Sequence, residues 1–192
     1  MGWSEKGVLK MFKLHDKVIY PGHGIALIAE FLEKMITGKK VCFFKLCFLF
    51  KDMTILVPTH NMKNSGIRYP SDKKTINLVY NEIIKCPVKK FACFDFTPSG
   101  WNRRNKEYQL KIQRGKLIEI AQVYRDLMFV SQQKELSFGE KNLLQIAEDL
   151  LVQEIQFITN KDRDLIINEL QEPIKQYFFH QELGLHNVSS VV

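Results

Sequence analysis

Hydrophobic positions along this chain change their spacing near residue 68. Before it they come in short runs broken by turn residues. Lys17-Val-Ile-Tyr20 reads as a strand with Val18 on one face and Ile19 on the other. Pro21-Gly-His-Gly24 follows as a turn in which two glycines are free to take positive φ. Ile25 to Met35 resumes as a strand, and Thr37-Gly38-Lys39-Lys40 reads as a hairpin turn. Val41 to Phe50 splits into two faces. One carries Val41, Phe43, Lys45, Cys47 and Leu49; the other carries Cys42, Phe44, Leu46, Phe48 and Phe50. Lys51-Asp52 turns the chain, and Met53 to Val57 makes another strand ended by Pro58. Four or five short strands at this spacing predict a small, strongly bent sheet or barrel.

Beyond Arg68 the period becomes helical. Ile76, Val79, Tyr80, Ile83 and Ile84 fall on one helix face, and Pro87 and Pro98 bracket a poorly periodic connector. Helices are expected from Trp101 to Ile158. Leu117, Ile120, Ala121, Tyr124, Leu127 and Met128 form one stripe. Ser137-Phe-Gly-Glu140 is a capping box that launches a second: Leu143, Leu144, Ala147, Leu150, Leu151, Ile155 and Ile158. Such stripes read as bundle core rather than a cofactor site. Asp162 to Leu170 adds a short helix stopped by Pro173. The expected class is therefore α+β, a bent β-sheet or barrel followed by an all-α bundle. The expected division is a leader over 1–10, a β domain over 11–68, a helical domain over 69–170 and a tail over 171–192.

Charge adds an asymmetry. The net formal charge of the 192 residues is +7. Residues 1–100 hold 16 Lys/Arg against 8 Asp/Glu, whereas Glu135 to Glu172 holds nine acids against three bases. Within Trp101–Lys116, six cations (Arg103, Arg104, Lys106, Lys111, Arg114, Lys116) face Glu107 alone. A polyanion would meet only one side of such a protein. Cys42, Cys47, Cys86 and Cys93 make no C-x-x-C pair and read as reduced core thiols, and the five histidines show no metal spacing. No metal or cofactor is expected. Val41–Phe50 is too short to span a bilayer, and Met-Gly-Trp-Ser-Glu-Lys lacks the apolar core of a secretory leader, so a cytoplasmic chain without membrane contact is expected.

Catalytic motifs are missing. Gly22-His23-Gly24 is a fragment of a dinucleotide fingerprint and is better explained as a turn. Cys47 and His60 would make a nucleophile and base only if Cys47 left its Phe and Leu neighbours. Glu148 and Asp149 point to different helix faces, and Glu30 and Glu33 are expected to be parted by a reversal of strand direction. No catalytic residue is assigned. The informative stretch is Pro98-Ser-Gly-Trp-Asn-Arg-Arg-Asn-Lys106, where a turn signal presents one large ring ahead of three cations. An aromatic in a positive patch can wedge between bases while the cations hold phosphates. Equally, Trp101 could anchor a core at the start of a helix, with the cations as a solvated face.

The two halves together resemble the CarD/CdnL family of bacterial transcription regulators. The N-terminal likeness rests on Phe12-Lys-Leu-His-Asp16, Val18-Ile-Tyr-Pro-Gly-His-Gly24, Ile36-Thr-Gly38, Leu56-Val-Pro58 and Gly66-Ile-Arg68. The C-terminal likeness rests on Trp101-Asn-Arg-Arg104, Gly115, Val123-Tyr-Arg-Asp-Leu127 and Leu136-Ser-Phe-Gly-Glu-Lys141. It covers roughly residues 11 to 160. The resemblance implies a Tudor-like N-terminal domain that binds the RNA polymerase β subunit through Lys34, Ile36 and Leu56. It implies a helical domain that contacts promoter DNA at the upstream edge of the melted bubble. Trp101 would be its minor-groove wedge, and Arg103, Arg104 and Lys106 its basic contacts. Lys34 and Leu56 stand where relatives often carry Arg, whose fork makes contacts that Lys and Leu do not. The expected protein is a monomeric, non-enzymatic regulator of low sequence specificity, associated with the nucleoid through polymerase. Two other readings remain open at this point: a protein-only interaction module, and a DNA-binding architectural protein independent of polymerase.

Overall fold

The computed structural model describes residues 12–62, 64–85 and 97–182. The expectations for the leader, for Cys86 and Cys93, for most of the connector and for the last ten residues lie outside them. Element order is β1 (Lys17–Tyr20), β2 (Gly24–Ile36), β3 (Lys39–Phe48), β4 (Thr54–Pro58), then α1 (Lys73–Ile84), α2 (Pro98–Arg114), α3 (Leu117–Gln133), α4 (Phe138–Thr159) and α5 (Arg163–Glu182). The strands pair consecutively and antiparallel in the order β1-β2-β3-β4, forming a curled half-barrel followed by helices.

The hairpin between β2 and β3 is tighter than expected. Only Thr37 and Gly38 form the turn, with φ of 47° and 76°, while Lys39 and Lys40 already pair in β3. Two positive-φ residues match the twist of the flanking strands. Strand β3 starts and stops two residues earlier than the apolar run suggested, so Phe50 lies exposed past its end. Of the two faces read from the sequence, the one with Phe44, Leu46 and Phe48 is inner, buried with Phe12, Val18, Ala26, Ile28, Val57, Met62 and Ile67. Glu30 and Glu33 both lie in the continuous strand β2, so no reversal parts them.

One irregularity orders β2. Ile28 pairs with Leu46, but Glu30 pairs with Lys45, leaving Ala29 as an extra residue. Because strand side chains alternate with period two, this bulge changes which parity faces inward. Ala26 and Ile28 point to the core before it, and Phe31, opposite Phe44, does so after it.

The helices bury a second core that includes both predicted stripes, with Leu144 and Ile158 at its margin. Ser137 and Glu140 form the predicted capping box. The expected stop at Pro173 does not occur. Helix α5 runs through Pro173 to Glu182, and the boundary expected at 170/171 falls inside it. Ile174 is 1% exposed, and Tyr177 and Phe178 stack within 5.4 Å of the Phe129 ring. This apolar burial holds the proline in the helix against the loss of one backbone donor.

The two cores meet at a junction built from the motif residues of both halves. Ile19 and Ile25 pair across β1 and β2 and face the helices, opposite to Val18 and Ala26. Arg68 bonds the backbone of Ile19 and sends its guanidinium into the helices. Its two terminal nitrogens donate to the two carboxylate oxygens of Glu154, each at 2.8 Å, and Nε and Nη2 donate to the Gly115 carbonyl. Glu154 also accepts from the Ser71 amide. A fork-to-carboxylate pair of this kind fixes orientation as well as distance.

Gly24 shows how close the approach is. Its φ is +101°, and a Cβ there would sit 2.2 Å from Oε1 of the buried Gln153. Gly22, two residues earlier at φ +74°, faces open space. Gly22→Ala is expected to cost about 1 kcal/mol from backbone strain alone. Gly24→Ala is expected to cost about 2–3 kcal/mol, since Gln153 must also be displaced. Urea denaturation of the two variants side by side measures the difference.

Candidate nucleic-acid interface and polymerase-facing sheet

Helix α2 begins where a turn was expected. Thr97 is its N-cap, accepting from the Gly100 amide at 3.2 Å, and Pro98 occupies the first turn, where its missing donor costs nothing. Pro98-Ser-Gly100 is therefore the helix start rather than a separate turn, and Trp101 donates its amide to the Thr97 carbonyl. The helix closes at Gly115, φ +67°, in the left-handed conformation that glycine tolerates.

Helical spacing sorts the predicted residues into two pairs. Trp101 and Arg104 lie three apart and are both half-buried. The indole packs against the helical core and over Gly139 of α4, where a Cβ would come within 3.2 Å of its Cζ2. Arg103 and Lys106, also three apart, are exposed and make no ion pair among the described residues. The remaining cations of the run are partly neutralised: Lys111 pairs with Glu107, and Arg114 and Lys116 with Glu119. The positive charge presented outward is thus narrower than the sequence count. Tyr108, one turn on from Arg104, is buried, and desolvation drives its hydroxyl pKa well above the ordinary value.

An open groove of about 380 Å³ lies between α2 and α4. Asn105, Gln109 and Gln113 recur every four residues along α2 and line one wall. Gly139 and Asn142 line the other, and His23 borders one end. Partial burial, then Lys51, hold the imidazole below its usual pKa. At the start of α4, burial opposes ionisation of Glu140. Lys134 and the Ser137 amide and hydroxyl overcome it, so the carboxyl titrates below its usual value.

The bulge in β2 determines where the other predicted residues go. After Ala29, the even-numbered residues Glu30, Leu32, Lys34 and Ile36 face away from the barrel core. In β3 their partners are Lys45, Phe43, Val41 and Lys39, and Leu56 of β4 pairs with Lys45. Lys34, Ile36 and Leu56 therefore share the outer face of the sheet. Ile36 is 45% exposed and Leu56 37%. Leu56 stands in the row of Glu30 and Lys45, four residues along the strand from Lys34, or about 13 Å. Sequence reading missed the bulge, the Arg68–Glu154 pair and the amide row. The row had a signal in its spacing of four, whereas the bulge and the pair had none in local pattern.

A curled antiparallel sheet is thus joined through a charged junction to a helical bundle. Residues 12–70 match the CarD-like/TRCF RID domain, and residues 94–171 match the CarD, C-terminal domain. The chain is also 28% identical over 148 residues to "Putative transcription factor YdeB" of Bacillus subtilis (strain 168). That match covers 77% of this chain and 92% of the relative. The chain belongs to the CarD/CdnL family, a transcription-related family that interacts with RNA polymerase. Among the described residues, no helix is long and apolar enough to cross a membrane.

Proposed function

We propose that this protein is a non-enzymatic, monomeric regulator that binds the RNA polymerase β subunit and stabilises the open promoter complex. Lys34, Ile36 and Leu56 supply the polymerase contact from the outer sheet face. Trp101, Arg103, Arg104 and Lys106 contact DNA at the upstream bubble edge, with the protein in the cytoplasm and at the nucleoid through polymerase. The observation that carries the reading is that Trp101 and Arg104 share one face of the first turns of α2, while Arg103 and Lys106, unpaired among the described residues, are exposed on another. A ring inserted at an unstacked step is cheapest where the duplex already ends, so it favours the open form by its differential affinity. Phosphate contacts from Arg103 and Lys106 hold both forms alike.

The test is open-complex lifetime on a ribosomal RNA promoter with purified polymerase. Trp101→Ala is expected to shorten the lifetime roughly 5- to 150-fold, the cost of about 1–3 kcal/mol for one stacked aromatic, while polymerase pull-down is unchanged. A second reading, a protein-only module with Trp101 as a structural anchor, draws on the packing of the indole over Gly139. It expects Trp101→Ala to lower stability by about 3–5 kcal/mol without a separate effect on DNA. Thermal melting of the variant separates the two.

A further inference from the structure

Phe138 is 88% exposed, more than any other large apolar residue described. It occupies the first position of α4, directly before Gly139, over which the Trp101 indole lies. It does not serve the bundle. Relative to Ala147 in the buried stripe it is nine residues away, which places it on the opposite side of the helix. The capping box beside it is complete without it, since Ser137 and Glu140 satisfy each other. A single exposed apolar residue is ordinary in itself, so the ring counts only together with what lies beside it.

Its surroundings indicate the ligand. Gly139 borders the groove between α2 and α4, whose wall carries the side-chain amides of Asn105, Gln109, Gln113 and Asn142. None of these four has a hydrogen-bond partner among the described residues. Amides offer donors and acceptors without charge, which suits sugars and the edges of unpaired bases. The exposed cations Arg103 and Lys106 rise from the same helix. Stacking rings and positive charge are the recurring parts of a single-strand site, and the amide track adds neutral donors and acceptors between them.

We infer that Phe138 is a stacking platform for an unpaired base, and that the groove beside it carries the strand to which that base belongs. The site takes single-stranded DNA at a duplex end, beside the step contacted by Trp101. This rests on the DNA-contacting role proposed above and extends it from duplex to melted strand.

The experiment measures anisotropy of the full chain on two labelled probes, an A·T-rich duplex with a single-stranded tail and the same duplex with blunt ends. Phe138→Ala is expected to weaken binding to the tailed probe roughly 5- to 150-fold and to leave the blunt probe unchanged. Phe138→Trp is expected to restore the preference. Melting temperature should not move, because the ring buries almost nothing. Arg103→Ala is the control and should weaken both probes alike. If Arg103→Ala acts but Phe138→Ala does not, or if Phe138→Ala weakens both probes equally, the platform is overturned and the DNA-contacting role stands. Loss of polymerase pull-down with unchanged DNA binding would assign Phe138 to a protein contact and overturn it also. A wild-type chain that binds neither probe removes the DNA-contacting role, and the platform with it.

Discussion

Arg68→Ala is expected to lower global stability by about 3 kcal/mol, seen as a shift in the urea midpoint. The size follows from what remains rather than from what is removed. Glu154 is 3% exposed and would be left with only the Ser71 amide as a partner. The Gly115 carbonyl would also lose both guanidinium donors. Arg68 itself is partly open to water, which places the figure at the lower end for a broken buried pair. Replacing both partners with apolar residues should recover part of the loss, because no charge is then stranded. A change within a few tenths of a kcal/mol for Arg68→Ala would show that the junction contributes geometry and not stability.

A chain ending at Leu170 is expected to lose its cooperative melting transition or to melt far lower. The truncation removes Ile174 from the core and strips Tyr177 and Phe178 from Phe129, which is 4% exposed in the full protein. Ile174→Ala alone should cost about 2–5 kcal/mol. Pro173→Ala should act in the opposite direction and raise stability, because it restores a backbone donor within α5. A helix that ended at Pro173 would make the first change harmless and the last one neutral. Thermal unfolding of the three variants followed by circular dichroism distinguishes the cases.

Local pattern carried much of the architecture. Alternation in Val41–Phe50 separated the two faces of β3 without saying which is inner, and helical spacing found both stripes of the bundle, because burial imposes those periods directly. Pro173 misled for the complementary reason. The rule that proline ends a helix is local, whereas the burial of Ile174, Tyr177 and Phe178 that overrides it is tertiary. Similarly, Pro98-Ser-Gly100 has turn composition, but proline is equally suited to the first turn of a helix, and Thr97 supplied the cap. At the candidate site, the sequence marked Trp101 and its cations but not which of them face water. Arg103 and Lys106 do; Trp101 and Arg104 are half-covered, a sorting that depends on how α2 sits against α4. Arg68 and Glu154 are 86 residues apart, and nothing in the neighbourhood of either announces the other.

Ala29 has a consequence for how the chain tolerates changes in length. A substitution there alters one side chain, but removal of the residue would put the two parts of β2 back in step. Lys34 and Ile36 would still face outward and Phe31 inward, because Ile28 already pairs with Leu46 and Glu30 with Lys45, and only the local bend would be lost. One residue inserted between Phe31 and Lys34 without a bulge of its own would instead turn Lys34 and Ile36 inward. Relatives aligned across this strand with a gap at 29 would present the same outer face on a straighter strand.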